Sequence, residues 1–187
     1  MRVIGGSAKG KTLKSPRGNK VRPTSDKLKA AFFNIVAESI VNAKFLDLFA
    51  GTGSMGIEAL SRGAKRCVFV EKNLSTMQLL QENLRSTSML SRAETLRCDY
   101  HLALRMLAKR QEAFDLIYID PPYFYGGVTK ILLLLEKNKL LTLGGIVAIE
   151  RNSRWRDGSG DGGPDFPFLL EKEKIYGNSL LQLYKNK

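Results

Sequence analysis

Histidine and cysteine are scarce in this chain of 187 residues: His101 is the single histidine, and Cys67 and Cys98 are the only cysteines. No Cys-x-x-Cys pair and no imidazole cluster can be drawn, so neither a metal site nor a disulfide framework is expected, and two lone thiols fit a reducing compartment. No uninterrupted apolar run approaches the ~18 residues of a membrane span, and the N-terminus has no apolar signal core. A cytoplasmic monomer without membrane attachment is predicted. Acids are also scarce in one place. Residues 1 to 30 hold nine basic side chains (Arg2, Lys9, Lys11, Lys14, Arg17, Lys20, Arg22, Lys27 and Lys29) against Asp26 alone, which puts +8 of the formal +12 into this stretch. A basic arm spaced with Gly and Pro attracts a phosphate backbone, although such blocks are often solvated tails.

What is present reads as an α/β protein. A content of 43% hydrophobic and 26% charged residues is that of an ordinary globular domain, long enough to bury a core. After the arm, Thr24 or Ser25 can cap a helix with Leu28, Phe32, Ile35, Val36 and Ile40 at helical spacing and a polar face made basic by Lys27 and Lys29. Strands at 45–49, 67–70, 95–97, 114–119 and 146–150 then alternate with helices at 54–62, 74–85, 100–110 and 128–137, the pattern of a parallel sheet covered on both faces. Two last strands, 171–176 and 180–184, flank Gly177-Asn178-Ser179 and should form an antiparallel hairpin. This gives seven mostly parallel strands, a basic extension over 1–40 built of a hairpin plus a helix, and a main domain over 41–187. The Gly-, Asp- and Pro-rich segment 151–167 reads as a loop.

Gly51, Gly53 and Gly56 follow the first strand with the spacing G-x-G-x-x-G, and Glu71 ends the next strand about 20 residues later, where an acid can hold a ribose. A nucleoside-bearing cofactor is implied. Asp47, just before the glycines, would repel a pyrophosphate but favours a sulfonium and an ammonium, which points to S-adenosylmethionine. Asp99, after the third strand, can accept from an adenine amine.

The fourth strand ends in Asp120-Pro121-Pro122-Tyr123. Two prolines have no N–H to spend and fix the Pro121 carbonyl outward beside the Asp120 carboxylate, next to an aromatic face. Such a lip can hold both hydrogens of a planar exocyclic amine while the ring stacks on Tyr123, and its acceptors strengthen as the nitrogen becomes positive during attack. The same four residues would also make a plain strand-to-loop turn.

Arg2-Val3-Ile4-Gly5-Gly6, Lys9-Gly10, Arg22-Pro23-Thr24-Ser25-Asp26, Phe33-Asn34, the run from Leu46 to Gly53, Gly56 to Ala64, Glu71 and the Asp-Pro-Pro-Tyr lip together resemble the bacterial methyltransferases that modify the exocyclic amine (N2) of one guanine in 16S ribosomal RNA. The resemblance spans essentially the whole chain and implies a Rossmann-like class I S-adenosylmethionine-dependent methyltransferase. It further implies that Asp47, Phe49, Gly51, Gly53, Glu71 and Asp99 line the cofactor pocket, and that Asp120 to Tyr123 hold the guanine amine. Arg22 and Thr24, with Arg2, Lys9 and Lys11 of the basic extension, would meet 16S rRNA or a small-subunit particle. The shed proton has two acceptors open to it, Asp120 or water.

Three rival readings share parts of this pattern. A DNA adenine-N6 methyltransferase would use the same lip, but no separate DNA-reading domain is visible. A nicotinamide-dependent dehydrogenase would use the same glycines, but His101 is the lone imidazole to serve as proton donor. A non-catalytic RNA-binding module would explain the basic arm but not the strand-end acids.

Overall fold

A computed structural model describes residues 1–16, 26–121, 127–153 and 166–186. Helix α1 (Asp26–Ile35) precedes an alternating series: β1 (Lys44–Asp47), α2 (Ser54–Ser61), β2 (Arg66–Val70), α3 (Leu74–Ser86), β3 (Ala93–Leu96), α4 (Tyr100–Lys109), β4 (Phe114–Ile119), α5 (Val128–Lys137) and β5 (Leu141–Asn152). Strands β6 (Phe168–Tyr176) and β7 (Ser179–Asn186) close the series. The seven strands form one sheet in the order β3-β2-β1-β4-β5-β7-β6. β1 to β5 run parallel, and β7 pairs antiparallel with both β5 and β6. The chain therefore works outward from β1 to β3, returns to β4 and works outward the other way. The β1/β4 junction is the switch point at which such sheets bind ligands, at the carboxyl ends of the strands.

Each face of the sheet is covered because the strands are apolar on both sides. Phe32 and Phe33 of α1, Ile57 and Leu60 of α2 and Leu80 of α3 pack with Phe45, Phe69 and Tyr118 on one face. Leu104 and Leu107 of α4 and Ile131 and Leu135 of α5 pack with Leu46, Val68, Ile117 and Val147 on the other. The apolar run Ile131–Leu135 is thus a helix face turned inward, with Leu133 outward.

The first sixteen residues are fastened to this body. An Arg2–Thr12 bridge folds the chain back on itself, and Val3, Ala8 and Leu13 join the α1–α3 side of the core. Ile4 N–H donates to Glu58 Oε2 at 2.8 Å, Ala8 N–H to Ser61 Oγ at 2.9 Å, and Lys14 N–H to Asn83 Oδ1 at 2.7 Å. Gly6 has φ +73°, and a Cβ there would stand 1.9 Å from the Ser61 carbonyl oxygen, so only glycine lets the segment lie against the end of α2.

Three expectations need correcting. Helix α1 ends at Ile35, so Val36 and Ile40 are buried from the turn that follows it rather than from the helix. Lys29 does not contribute to a basic outer face of α1: it is fully buried, donates from Nζ to the Arg2 carbonyl at 2.6 Å and to Ser54 Oγ at 3.2 Å, and lies 3.8 Å from Glu58. It shares its helix face with Phe33, one turn on, and that face is the inward one. The fifth strand begins at Leu141 rather than Ile146, because the Leu-Thr-Leu-Gly-Gly stretch pairs with Phe114 across a register shift. The caps proposed at Thr24 and Ser25, and most of the 151–167 loop, lie outside the described residues.

Candidate active site

The carboxyl ends of β1 to β4 bring four of the expected acids to one edge of the sheet. Asp47 pairs with Phe69 of β2 on one side and Tyr118 of β4 on the other. Leu48 N–H continues the ladder to the Tyr118 carbonyl at 3.0 Å, and Ala50 N–H bonds the Val70 carbonyl at 2.9 Å. The glycine turn and the tip of β4 therefore open on the same side.

The turn is held by its own acids. Asp47 is buried, its Oδ2 accepting from Gly56 N–H of α2 at 3.0 Å. Burial pushes its pKa up to about 7; the Gly56 bond opposes the rise and the charge of Glu71 adds to it. Glu71 sits just past β2 and accepts from Gly51 N–H at 3.1 Å and from Asn73 N–H at 2.7 Å. Gly53 has φ +86°, and a Cβ there would come within 2.2 Å of Leu80, so the chain turns tightly onto α3 at that point. Phe49 lies 5.5 Å from the ring of Tyr100, at the start of α4. Asp99 is exposed and caps α4, accepting from His101 N–H at 2.9 Å. One carboxylate oxygen of Asp99 thus has a structural task, and His101 is set at a helix start rather than at the lip.

Asp120 closes β4, half-buried, with Pro121 buried behind it. Burial first, then the negative charges of Glu150 and Asp47, push its carboxyl well above the usual carboxylate range. Glu150 was not anticipated. It is buried two residues before the end of β5, where Oε2 accepts from the Tyr118 hydroxyl at 2.7 Å and Oε1 from the Ser179 hydroxyl at 2.8 Å. The signal was available: Ile146-Val147-Ala148-Ile149-Glu150 is an apolar strand ending in an acid, as are those ending in Asp47 and Asp120. Pro122 and Tyr123, the other half of the lip, and Arg22 and Thr24 lie outside the described residues.

The basic residues of the extension have varied surroundings. Arg2 Nε is 3.4 Å from Asp26, Lys11 Nζ donates to the Ser86 carbonyl at 2.7 Å, and Lys9 is exposed. A shallow cavity of about 410 Å³ occupies the opposite edge of the sheet, near Glu38, Asn42 and Gly144. Its acid Asp115 is already bonded to Lys44 N–H at 2.8 Å and to the Thr142 hydroxyl at 3.0 Å.

Known proteins bear on this geometry. The family model described as conserved hypothetical protein 95 matches residues 1–185. A Bacillus subtilis (strain 168) protein provisionally named an rRNA methyltransferase, YlbH, is 35% identical over all of both chains. Ribosomal RNA small subunit methyltransferase D of Escherichia coli (strain K12) is 32% identical over 99% of this chain and 89% of its own length. A solved structure of a hypothetical protein from Thermus thermophilus superposes with a TM-score of 0.83 at 28% identity, covering 99% of each chain.

Proposed function

This chain belongs to the conserved hypothetical protein 95 family, which includes the bacterial small-subunit methyltransferases D, and from that premise we propose that it methylates the exocyclic amine, N2, of a guanine in 16S rRNA. The observation that carries the reading is the convergence of the glycine turn after β1 and the Asp120–Pro121 lip after β4 at the switch point of the sheet. S-adenosylmethionine, when bound, supplies a methyl group on a sulfonium, so that the amine lone pair forms the N–C bond while the C–S pair returns to sulfur, leaving one surplus proton on nitrogen.

The residues at the strand ends fit that cofactor. Asp47, Glu71 and Asp99 bring acceptor oxygens to a ligand rich in donors and positive charge, and no cation is interposed among the described residues there. Glu71 would take the ribose hydroxyls, Asp99 the adenine amine through the oxygen not engaged in capping, and Asp47 the cationic end. Phe49, Gly51 and Gly53 would form the floor of the pocket. Asp120 and the Pro121 carbonyl would hold the two amine hydrogens, with Tyr123 under the flipped base, so that orientation and placed acceptors supply most of the rate. Residues 1–40 would dock on rRNA phosphates through Arg2, Lys9, Lys11, Arg22 and Thr24, and residues 41–187 would carry the transfer.

Incubation with labelled S-adenosylmethionine and small-subunit RNA or particles, followed by mass mapping of the modified nucleotide, tests the reading. A methylated N2-guanine is expected. Label appearing in duplex DNA instead, or in no nucleic acid, would reject it. Asp120→Ala should abolish turnover while cofactor affinity stays within about threefold, because Asp120 serves the acceptor amine rather than the donor.

A further inference from the structure

Resting on the methyl-transfer reading above, we propose that Glu150 is a positioning residue of this site, pinned so that its charge faces Asp120 and fits that carboxylate to take and keep the proton shed by the methylated amine.

The register places the two acids together. Tyr118 pairs with Ala148 and Ile119 with Ile149, so one residue further on the register sets Asp120, just past β4, beside Glu150 of β5. Side chains alternate along a strand, so Tyr118 and Asp120 share a face of β4, and Ala148 and Glu150 share the same face of β5. Tyr118 and Ser179 donate to different oxygens of Glu150, at 2.7 and 2.8 Å, which fixes the carboxylate in place.

Among the described residues, Asp120 is acted on by Glu150 from β5 and Asp47 from β1, both acidic. Glu150 is faced by the hydroxyls of Tyr118 from β4 and Ser179 from β7, both neutral donors. The overlying helix α1 offers the ring of Phe32, 5.2 Å from that of Tyr118. Two like charges at adjacent strand ends disfavour joint ionisation, and burial of Asp120 acts in the same direction.

The consequence for chemistry is direct. As the N–C bond forms, nitrogen carries a surplus proton, and its transfer to Asp120 turns a crowded carboxylate into a neutral acid. The N-methylated base leaves neutral, and Asp120 returns the proton to water after the product has left. An isolated carboxylate of ordinary acidity would be a poorer acceptor near neutral pH.

The test uses the full chain with carbon-13-labelled carboxylates, S-adenosylmethionine and small-subunit particles. In the wild type, the Asp120 carboxyl carbon should titrate above the ordinary aspartate range, and in Glu150→Gln its midpoint should fall by about one pH unit. The acid limb of the kcat profile should move the same way, with a plateau about tenfold lower and cofactor affinity unchanged, and Glu150→Asp should restore part of the shift. An Asp120 midpoint unmoved by Glu150→Gln, or a loss of rate equal at every pH, overturns the proposal. Should Glu150→Gln fail to fold, the wild-type spectrum decides: an Asp120 carboxyl carbon that titrates within the ordinary aspartate range overturns the proposal. A wild-type chain that transfers no methyl group sinks the parent reading and this role together, whereas normal transfer with an immobile Asp120 titration removes the role alone.

Discussion

Asp47 is an acid that folding draws out of water, and the cost of ionising it can be read as stability. Its carboxyl rises from 3.8 to about 7 in the folded chain, chiefly through burial. The folded state therefore holds this proton over a range in which the unfolded chain has released it. The associated stabilisation is full below about pH 4 and is lost as pH climbs to 7, up to about 4 kcal/mol in all. Asp47→Asn keeps an acceptor for Gly56 N–H and removes the titration. Its thermal midpoint, followed from pH 4 to 8, should decline less steeply than that of the wild type. The sequence picked out Asp47 and Asp120 as candidates because each stands at the end of an apolar strand beside a glycine or proline motif, and Glu71 because it comes at the end of the next strand about 20 residues after the glycines. It did not reveal that Lys29 is internal, since the side a charged residue takes on a helix depends on what the helix packs against. Glu150 had the same strand-end pattern as the others but no motif beside it.

At the scale of elements, the extension depends on α2 more than its basic composition suggests. Glu58 is buried within that helix, receives Ile4 N–H at 2.8 Å and Arg62 Nε at 2.7 Å, and lies 3.8 Å from the buried Lys29 ammonium. Burial lowers the pKa of Lys29, against the opposing pull of Glu58 and Asp26. Glu58→Ala would take from that ammonium its buried counter-charge, leaving only the half-exposed Asp26 at 4.0 Å, and should cost about 3 kcal/mol in denaturant unfolding. Proteolysis of the variant should begin within residues 1–14, which lose an anchor to the main body. The alternation of helices and strands was legible almost throughout, because long amphipathic periods and short apolar runs are local properties. The beginning of β5 was not: Gly144 and Gly145 read as a loop, and only pairing with Phe114 makes that stretch a strand.

For the whole molecule, net charge rather than any single contact should govern docking on RNA. With +12 on 187 residues and most of it in the first thirty, affinity for small-subunit RNA should fall linearly with salt on logarithmic axes. The slope should be about −0.7 to −0.9 for each phosphate neutralised. Lys9→Ala, at an exposed position, should reduce that slope by about one while leaving the fold intact, as read by fluorescence anisotropy across a salt series.

The strand order has a consequence for biosynthesis. β6 is made before β7 yet reaches the sheet only through it, so a growing chain that has made Phe168 and Leu170 cannot yet fix them in the core they join. Until β7 is translated, the free margin of β5 is an open template for a neighbouring nascent chain. Pauses in translation between these two strands would therefore be the moments at which this protein is most exposed to aggregation and most in need of a chaperone.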